Sequence, residues 1–148
     1  MDIDRHSISE RMVGNIIAGH DVGRWVYARV GGIYHPEASA SVGLERGGEI
    51  VAGVVFYNWN GVSAMASIAA VSPLSRGFLG AIFRYPFVVG KLNQIIVTIA
   101  SYNSRSLRLA ARMGFTEQAR LPDAHPDGDL ILMVLRRENC RFLGARYG

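Results

Sequence analysis

The chain has 148 residues, 49% of them hydrophobic, and a formal net charge of +4. That length gives one domain with a sizeable core and excludes two ordinary domains, and the apolar content excludes a disordered chain. A single cysteine, Cys140, excludes an internal disulfide and leaves no cysteine metal cluster.

The positive charge is almost wholly arginine, since Lys91 is the only lysine. Such a balance suits anionic partners, nucleotides or nucleic acid among them, although the arginines are scattered and no DNA-binding motif is present. Small groupings occur at Arg105-Arg108-Arg112 and Arg136-Arg137-Arg141. The longest apolar runs, Ile50–Tyr57 and Ala64–Val71, fall short of the roughly 20 residues that cross a bilayer. The polar start, MDIDRHSISE, is unlike a signal peptide, and the expected location is the cytoplasm.

In chain order, Ser9 caps an expected helix Glu10–Ile17, with Met12, Val13, Ile16 and Ile17 at helical spacing. After a Gly-His-Asp break, Asp21 caps a second helix, Val22–Val30, which Gly31-Gly32 stops. Three strands follow as a meander: Ala40–Arg46, Glu49–Trp59 and Ala64–Val71, joined by turns at Gly47-Gly48 and Asn60-Gly61. Ser75 opens a helix running to Tyr85, and Pro86 ends or kinks it. The β-branched run Gln94–Ile99 reads as a buried parallel strand. Asn103 or Ser104 caps the amphipathic helix Ser104–Met113, and Gly114 suits its left-handed C′ position. Phe115–Leu121 is a strand, Asp123–Gly128 a polar loop and Asp129–Arg136 the last strand. Antiparallel strands joined to one β-α-β unit give an α+β protein.

The segment QIIVTIASYNSRSLRLAARMGF, with Asn103, Ser106 and Gly114-Phe115, resembles the second half of the acyl-CoA site of GNAT-type N-acetyltransferases. The succession of elements is similar to that family over essentially the whole chain. The resemblance implies one acyltransferase domain over residues 1–148, with a mixed, mostly antiparallel sheet of about six or seven strands. It also implies a central splayed parallel pair, about four flanking helices, and acetyl-CoA as cosubstrate with no metal.

The resemblance puts the family's pyrophosphate loop, in which backbone N–H groups at a helix start meet phosphate, at Val71–Ala81. Arg76 fits its first position and Ala81 its last, Leu79 replaces its first glycine, and Gly77 and Gly80 stand one place off. The cofactor-binding set is therefore Ala70, Val71, Arg76, Gly77, Phe78, Leu79, Gly80, Ala81, Asn103 and Ser106. An N–H near Ala70 or Val71 is the expected polariser of the thioester carbonyl. Ala110 stands where many members carry a proton-donating tyrosine. Ser106 matches the branch resembling ribosomal-protein N-terminal acetyltransferases, and Tyr102 is a second donor candidate. The strand Ala64–Val71 has no carboxylate, which leaves Glu45, His20, His35 and Asp129 as base candidates.

The implied reaction is direct attack of an amine on the thioester through a tetrahedral intermediate, without an acyl-enzyme. No Cys/His or Ser/His/Asp constellation opposes it. The acceptor is a small-molecule or protein amine, and a homodimer is expected. The runs AGVVFYNW and DGDLILMVLRRENCRFL, with Tyr85-Pro86-Phe87 and Arg141, are similar to small GNAT-like proteins of tailed phages and prophages. For such a protein the cytoplasm is that of a bacterial host. The alternatives are a catalytically degenerate GNAT-fold binding protein and a phage enzyme acting on nucleic acid or nucleotides. Salt-sensitive DNA binding separates the last from the others.

Overall fold

The computed structural model describes residues 14–147. One mixed sheet runs through it in the order β1-β2-β3-β4-β5-β7-β6. Its strands are β1 (Asn15–Ala18), β2 (Ala40–Arg46), β3 (Glu49–Tyr57), β4 (Ser63–Ala70), β5 (Gln94–Ala100), β6 (Thr116–His125) and β7 (Gly128–Arg136). Three α-helices are described: α1 (His20–Val30), α2 (Arg76–Arg84) and α3 (Ser104–Met113). Only β4 and β5 are parallel; each other neighbouring pair is antiparallel.

Alternation along the strands assigns the two faces of the sheet. Leu44, Val54, Phe56, Ile95, Val97, Ile131, Met133 and Leu135 form one large core with Phe78, Ile82 and Phe83 of α2 and Ala110 and Met113 of α3. The opposite face carries a small cluster, Val22 and Val26 of α1 on Val55 of β3, with Ala69 beside it. The C-terminal 3₁₀ turns pack on the first face, where Phe142 stacks on Phe83 at 4.9 Å and meets Tyr147 edge-on at 5.0 Å.

Three sequence expectations are corrected. Asp21 does not cap α1, which starts at His20 with Gly19 in the N-cap position and no side-chain cap bond. The helix Glu10–Ile17 lies in part outside the described residues, as does its cap Ser9, but Asn15–Ala18 is strand β1, paired with Val42–Glu45. Gly14, at φ +87, breaks any helical continuation, and the β-branched Ile16 and Ile17 suit the pleat. The loop Asp123–Gly128 is instead mostly strand. β6 runs to His125 past a register shift, with Asp123 at φ 57 and its N–H donated to Asp129 Oδ1 at 3.1 Å. Pro122 is tolerated there because β6 is an edge strand.

Other expectations hold. Gly47 and Gly48 have φ values of 61 and 81, as a tight hairpin turn requires. Ser75 and Asn103 cap α2 and α3, and Gly114 is left-handed at φ 104. Pro86 follows the end of α2 at Arg84, as expected. It sits in a π-helical turn, Tyr85–Val89, closed by the Gly90 N–H on the Tyr85 carbonyl at 2.9 Å.

Candidate acyl-transfer site

The parallel pairing of β4 and β5 is brief. It covers Ser63↔Gln94, Ala64↔Ile95 and Met65↔Ile96, and beyond those residues the strands part. β4 stays paired with β3 as far as Ala70↔Ala52, and β5 with β7 as far as Ala100↔Leu130. Each strand beyond the parting is therefore hydrogen-bonded on its outer side alone.

Antiparallel pairing alternates which neighbour a residue's N–H and C=O address. The Val71 N–H goes to the Val51 carbonyl at 2.8 Å, which turns the polar groups of Ala70, Ile68 and Ala66 toward the gap. The Ala70 carbonyl does receive Arg105 Nη2 there, at 3.5 Å. The Val71 amide is committed to β3, so of the two expected polarising N–H groups the Ala70 amide is the one that faces the gap.

Two helix starts stand at the mouth. Ser75 Oγ accepts the Phe78 N–H at 3.1 Å, and the Ser75 carbonyl accepts Leu79 N–H at 3.0 Å. The amides of Arg76 and Gly77 precede the first intrahelical bonds and have no helical partner. Across the gap, Asn103 Oδ1 accepts the Ser106 N–H at 3.2 Å, so Asn103 is an N-cap in fact.

The groove formed where the strands part has a volume of about 1760 Å³ and passes from the α2–α3 face of the sheet to the α1 face. Ala70, Val71, Arg76, Leu79, Tyr102, Asn103 and Ser106 all line it. Gly77, Phe78, Gly80, Ala81 and Glu45 do not. Phe78 is fully buried in the core, and a Cβ on Gly80 would overlap the Tyr147 carbonyl oxygen, so Gly80 makes room for the C-terminal turn. A Cβ on Gly77 would meet only Ile16 at 3.7 Å, so nothing internal needs that glycine bare. Glu45, on β2 two strands across the sheet from β4, pairs with Asn15 and Ile50.

The remaining base candidates are placed as follows. His20 is bonded to the Tyr34 hydroxyl at 2.9 Å. His35 lines the groove on the α1 side. The bond from Arg120, helped by the Asp123 amide, lowers the Asp129 pKa from its ordinary value, which makes it a weak proton acceptor. Burial pushes the Cys140 thiol up, away from the thiolate a nucleophile needs.

Sequence reasoning missed Tyr57 and the adjacent Ser67. Both line the groove, and both follow the alternation of Val55 and Ala69 onto the α1 face. Tyr57 opposes Met65, the last β4 residue paired with β5, and Ser67 lies two residues beyond. Burial raises the Tyr57 pKa above the ordinary 10.0; a hydrogen bond with Ser67 pulls the other way, and Tyr27 adds to the rise. Arg105 was noted only as part of a charge grouping. A tyrosine ending a strand of Val and Phe carries no sequence signal of its own.

No protein-family model and no curated protein matches the chain. Solved structures do. A chimera of the Vibrio cholerae spermidine N-acetyltransferase SpeG and hSSAT is 16% identical, with a TM-score of 0.70 over 89% of this chain and 99% of that one. The chain has the GNAT fold. Campylobacter jejuni N-acetyltransferase PseH in complex with acetyl coenzyme A is 17% identical, with a TM-score of 0.55 over 68% of this chain and 69% of that one. A ribosomal-protein alanine acetyltransferase from Vibrio fischeri is 13% identical, with a TM-score of 0.60 over 71% and 65% of the two chains. In this GNAT fold, the parted β4 and β5 and the two capped helices stand around one groove.

Proposed function

We propose that the protein is an acyl-CoA-dependent N-acyltransferase that moves an acetyl group from acetyl-CoA to an amine. The observation that carries this reading is the parting of β4 and β5 after three parallel pairs. It leaves strand polar groups free for a slender amide-bearing arm between two helix starts. The cosubstrate would supply the activated thioester; the chain would supply binding, orientation and a proton.

Arg76, with the Arg76 and Gly77 amides, offers an anion site at the start of α2. Asn103 and Ser106 border the other side of the mouth, and Arg105 spans it toward β4. The Ala70 amide takes the place of polariser of the thioester carbonyl. Tyr57 replaces the donor that Ala110 lacks: its phenol stays protonated and gives its proton to the departing sulfur as the C–S bond breaks. It regains one, through solvent, from the nitrogen that has formed the new C–N bond. Tyr102, 59% exposed and edge-on to His125 at 5.3 Å, is the second donor candidate at the rim. Positioning amine against thioester supplies much of the rate.

The finer placement among phage and prophage proteins rests on the resemblance of Tyr85-Pro86-Phe87, which lies in the π turn, and of the Arg141-containing C-terminus. With it come a bacterial cytoplasm and a homodimer as parts of the proposal. Among the described residues, no helix is long and apolar enough to cross a membrane.

Thermal unfolding with acetyl-CoA, against ATP and dephospho-CoA, tests the reading. At 100 times its dissociation constant the ligand should add about 2.7 kcal/mol, a rise in Tm of roughly 5–10 °C. An unchanged Tm up to millimolar acetyl-CoA would sink it.

A further inference from the structure

The groove carries charge of one sign. Arg29, Arg76, Arg105, Arg108, Arg112 and Arg141 line it, and among the described residues no aspartate or glutamate does. Five of these arginines belong to α2, α3 or the C-terminal turns, on the side where the phosphates of an acyl-CoA would lie. Arg29 is the exception. It ends α1 on the opposite face, stacked 3.8 Å above the Trp25 ring with Nη1 on the Trp25 carbonyl at 3.1 Å. That bond uses one of five guanidinium donors and fixes the side chain, leaving a preorganised cation. His35 stands in the same wall, 3.9 Å from Glu37, whose carboxylate lies outside the groove lining.

A buried ammonium is held most strongly by a carboxylate that replaces its water, and a polyamine by more than one. This lining offers none and repels each added positive charge. A positive field also favours the uncharged form of an amine. With the other five arginines opposite the phosphates of a bound acyl-CoA, Arg29 is the cation that an acceptor meets, beside a lining in which the described residues hold no carboxylate. The same field attracts an acceptor with negative charge elsewhere on its body.

Building on the acyltransferase reading, we propose that the acceptor is a monoamine bearing an anionic group, carboxylate or phosphate. The anion lies toward Arg29 and the amine reaches the parting of β4 and β5 beside Tyr57. Spermidine, which names one structural neighbour, is the wrong class for this groove.

Acetyl transfer is followed by release of free thiol, with L-phenylalanine, phenethylamine, O-phosphoethanolamine and spermidine as acceptors. L-phenylalanine and phenethylamine share one body and differ by a carboxylate. The expected kcat/KM for L-phenylalanine or O-phosphoethanolamine exceeds that for phenethylamine by about tenfold or more, the worth of one charge-assisted hydrogen bond, with spermidine poorest. Arg29→Gln should erase that advantage and leave the acetyl-CoA rise in Tm intact. Preference for spermidine or phenethylamine, no transfer to either anionic amine, or an advantage that survives Arg29→Gln overturns the proposal. If acetyl-CoA fails to raise the Tm at all, the acyltransferase reading falls and takes this one with it. A normal rise with the wrong preference overturns the acceptor class alone.

Discussion

The two faces of the sheet are built to different ends. On the α2–α3 face one core extends from Leu44 to Leu135, sealed by both helices and by Phe142 from the C-terminal turns. On the other, Val22, Val26 and Val55 make a small cluster under α1, and the polar Tyr57 and Ser67 line the gap beside it. The first face fixes where two helix starts point. The second leaves room at the parting of the strands and places hydroxyls there. Rigidity and chemistry are thus divided across a single sheet, and a substitution's effect should depend on which face it strikes.

The strongest test removes the seal. Phe142 is 2% exposed, stacked on Phe83, so Phe142→Ala should cost about 3–5 kcal/mol in denaturant unfolding. A cost below about 1 kcal/mol, the range of ordinary surface changes, would mean that the C-terminal turns are decoration and not part of the core. On the other face the expectation reverses. Tyr57→Phe should lower kcat by about 10²-fold or more, the usual worth of a general acid, while acetyl-CoA still raises the Tm. A kcat within about threefold of the parent would remove Tyr57 from the chemistry and bring Tyr102 forward, since positioned proton transfer is worth far more than that.

Those contrasts follow how far local signals reach. Turns, caps and the buried strand were legible because each is decided within a few residues: Gly47-Gly48, Ser75 with Phe78, Asn103 with Ser106, the β-branched run ending at Ile99. The groove's lining at Arg76, Leu79, Asn103 and Ser106 followed from the same segments. Tyr57 was not legible, because its place at the parting depends on where β5 stops pairing with β4, a long-range register. The pair Ile16-Ile17 was misjudged because a short apolar run fits a helix and a strand equally well, and pairing with β2 decides it.

Gly77 and Gly80 show the same lesson at the smallest scale. In sequence they look like equivalent parts of a degenerate phosphate loop; in the fold they belong to different tasks. Gly80 faces the tail, where a methyl group must displace the Tyr147 backbone or the Arg84 side chain. Gly80→Ala should therefore destabilise by about 1–3 kcal/mol, in spite of alanine's better helix propensity. Gly77 sits in the first turn with open space around its α-carbon, so Gly77→Ala should be neutral or stabilising by up to about 1 kcal/mol. Its Cβ would face Ile16 of β1 and not the groove, and the amide stays in place, so the rise in Tm with acetyl-CoA should be unchanged. Equal stability losses in the two variants would return Gly77 to the packing of α2 and leave the anion site to Arg76. A loss of stability at Gly80 alone, with Gly77→Ala keeping both its stability and the acetyl-CoA rise in Tm, would separate the glycine that the fold requires from the one it does not.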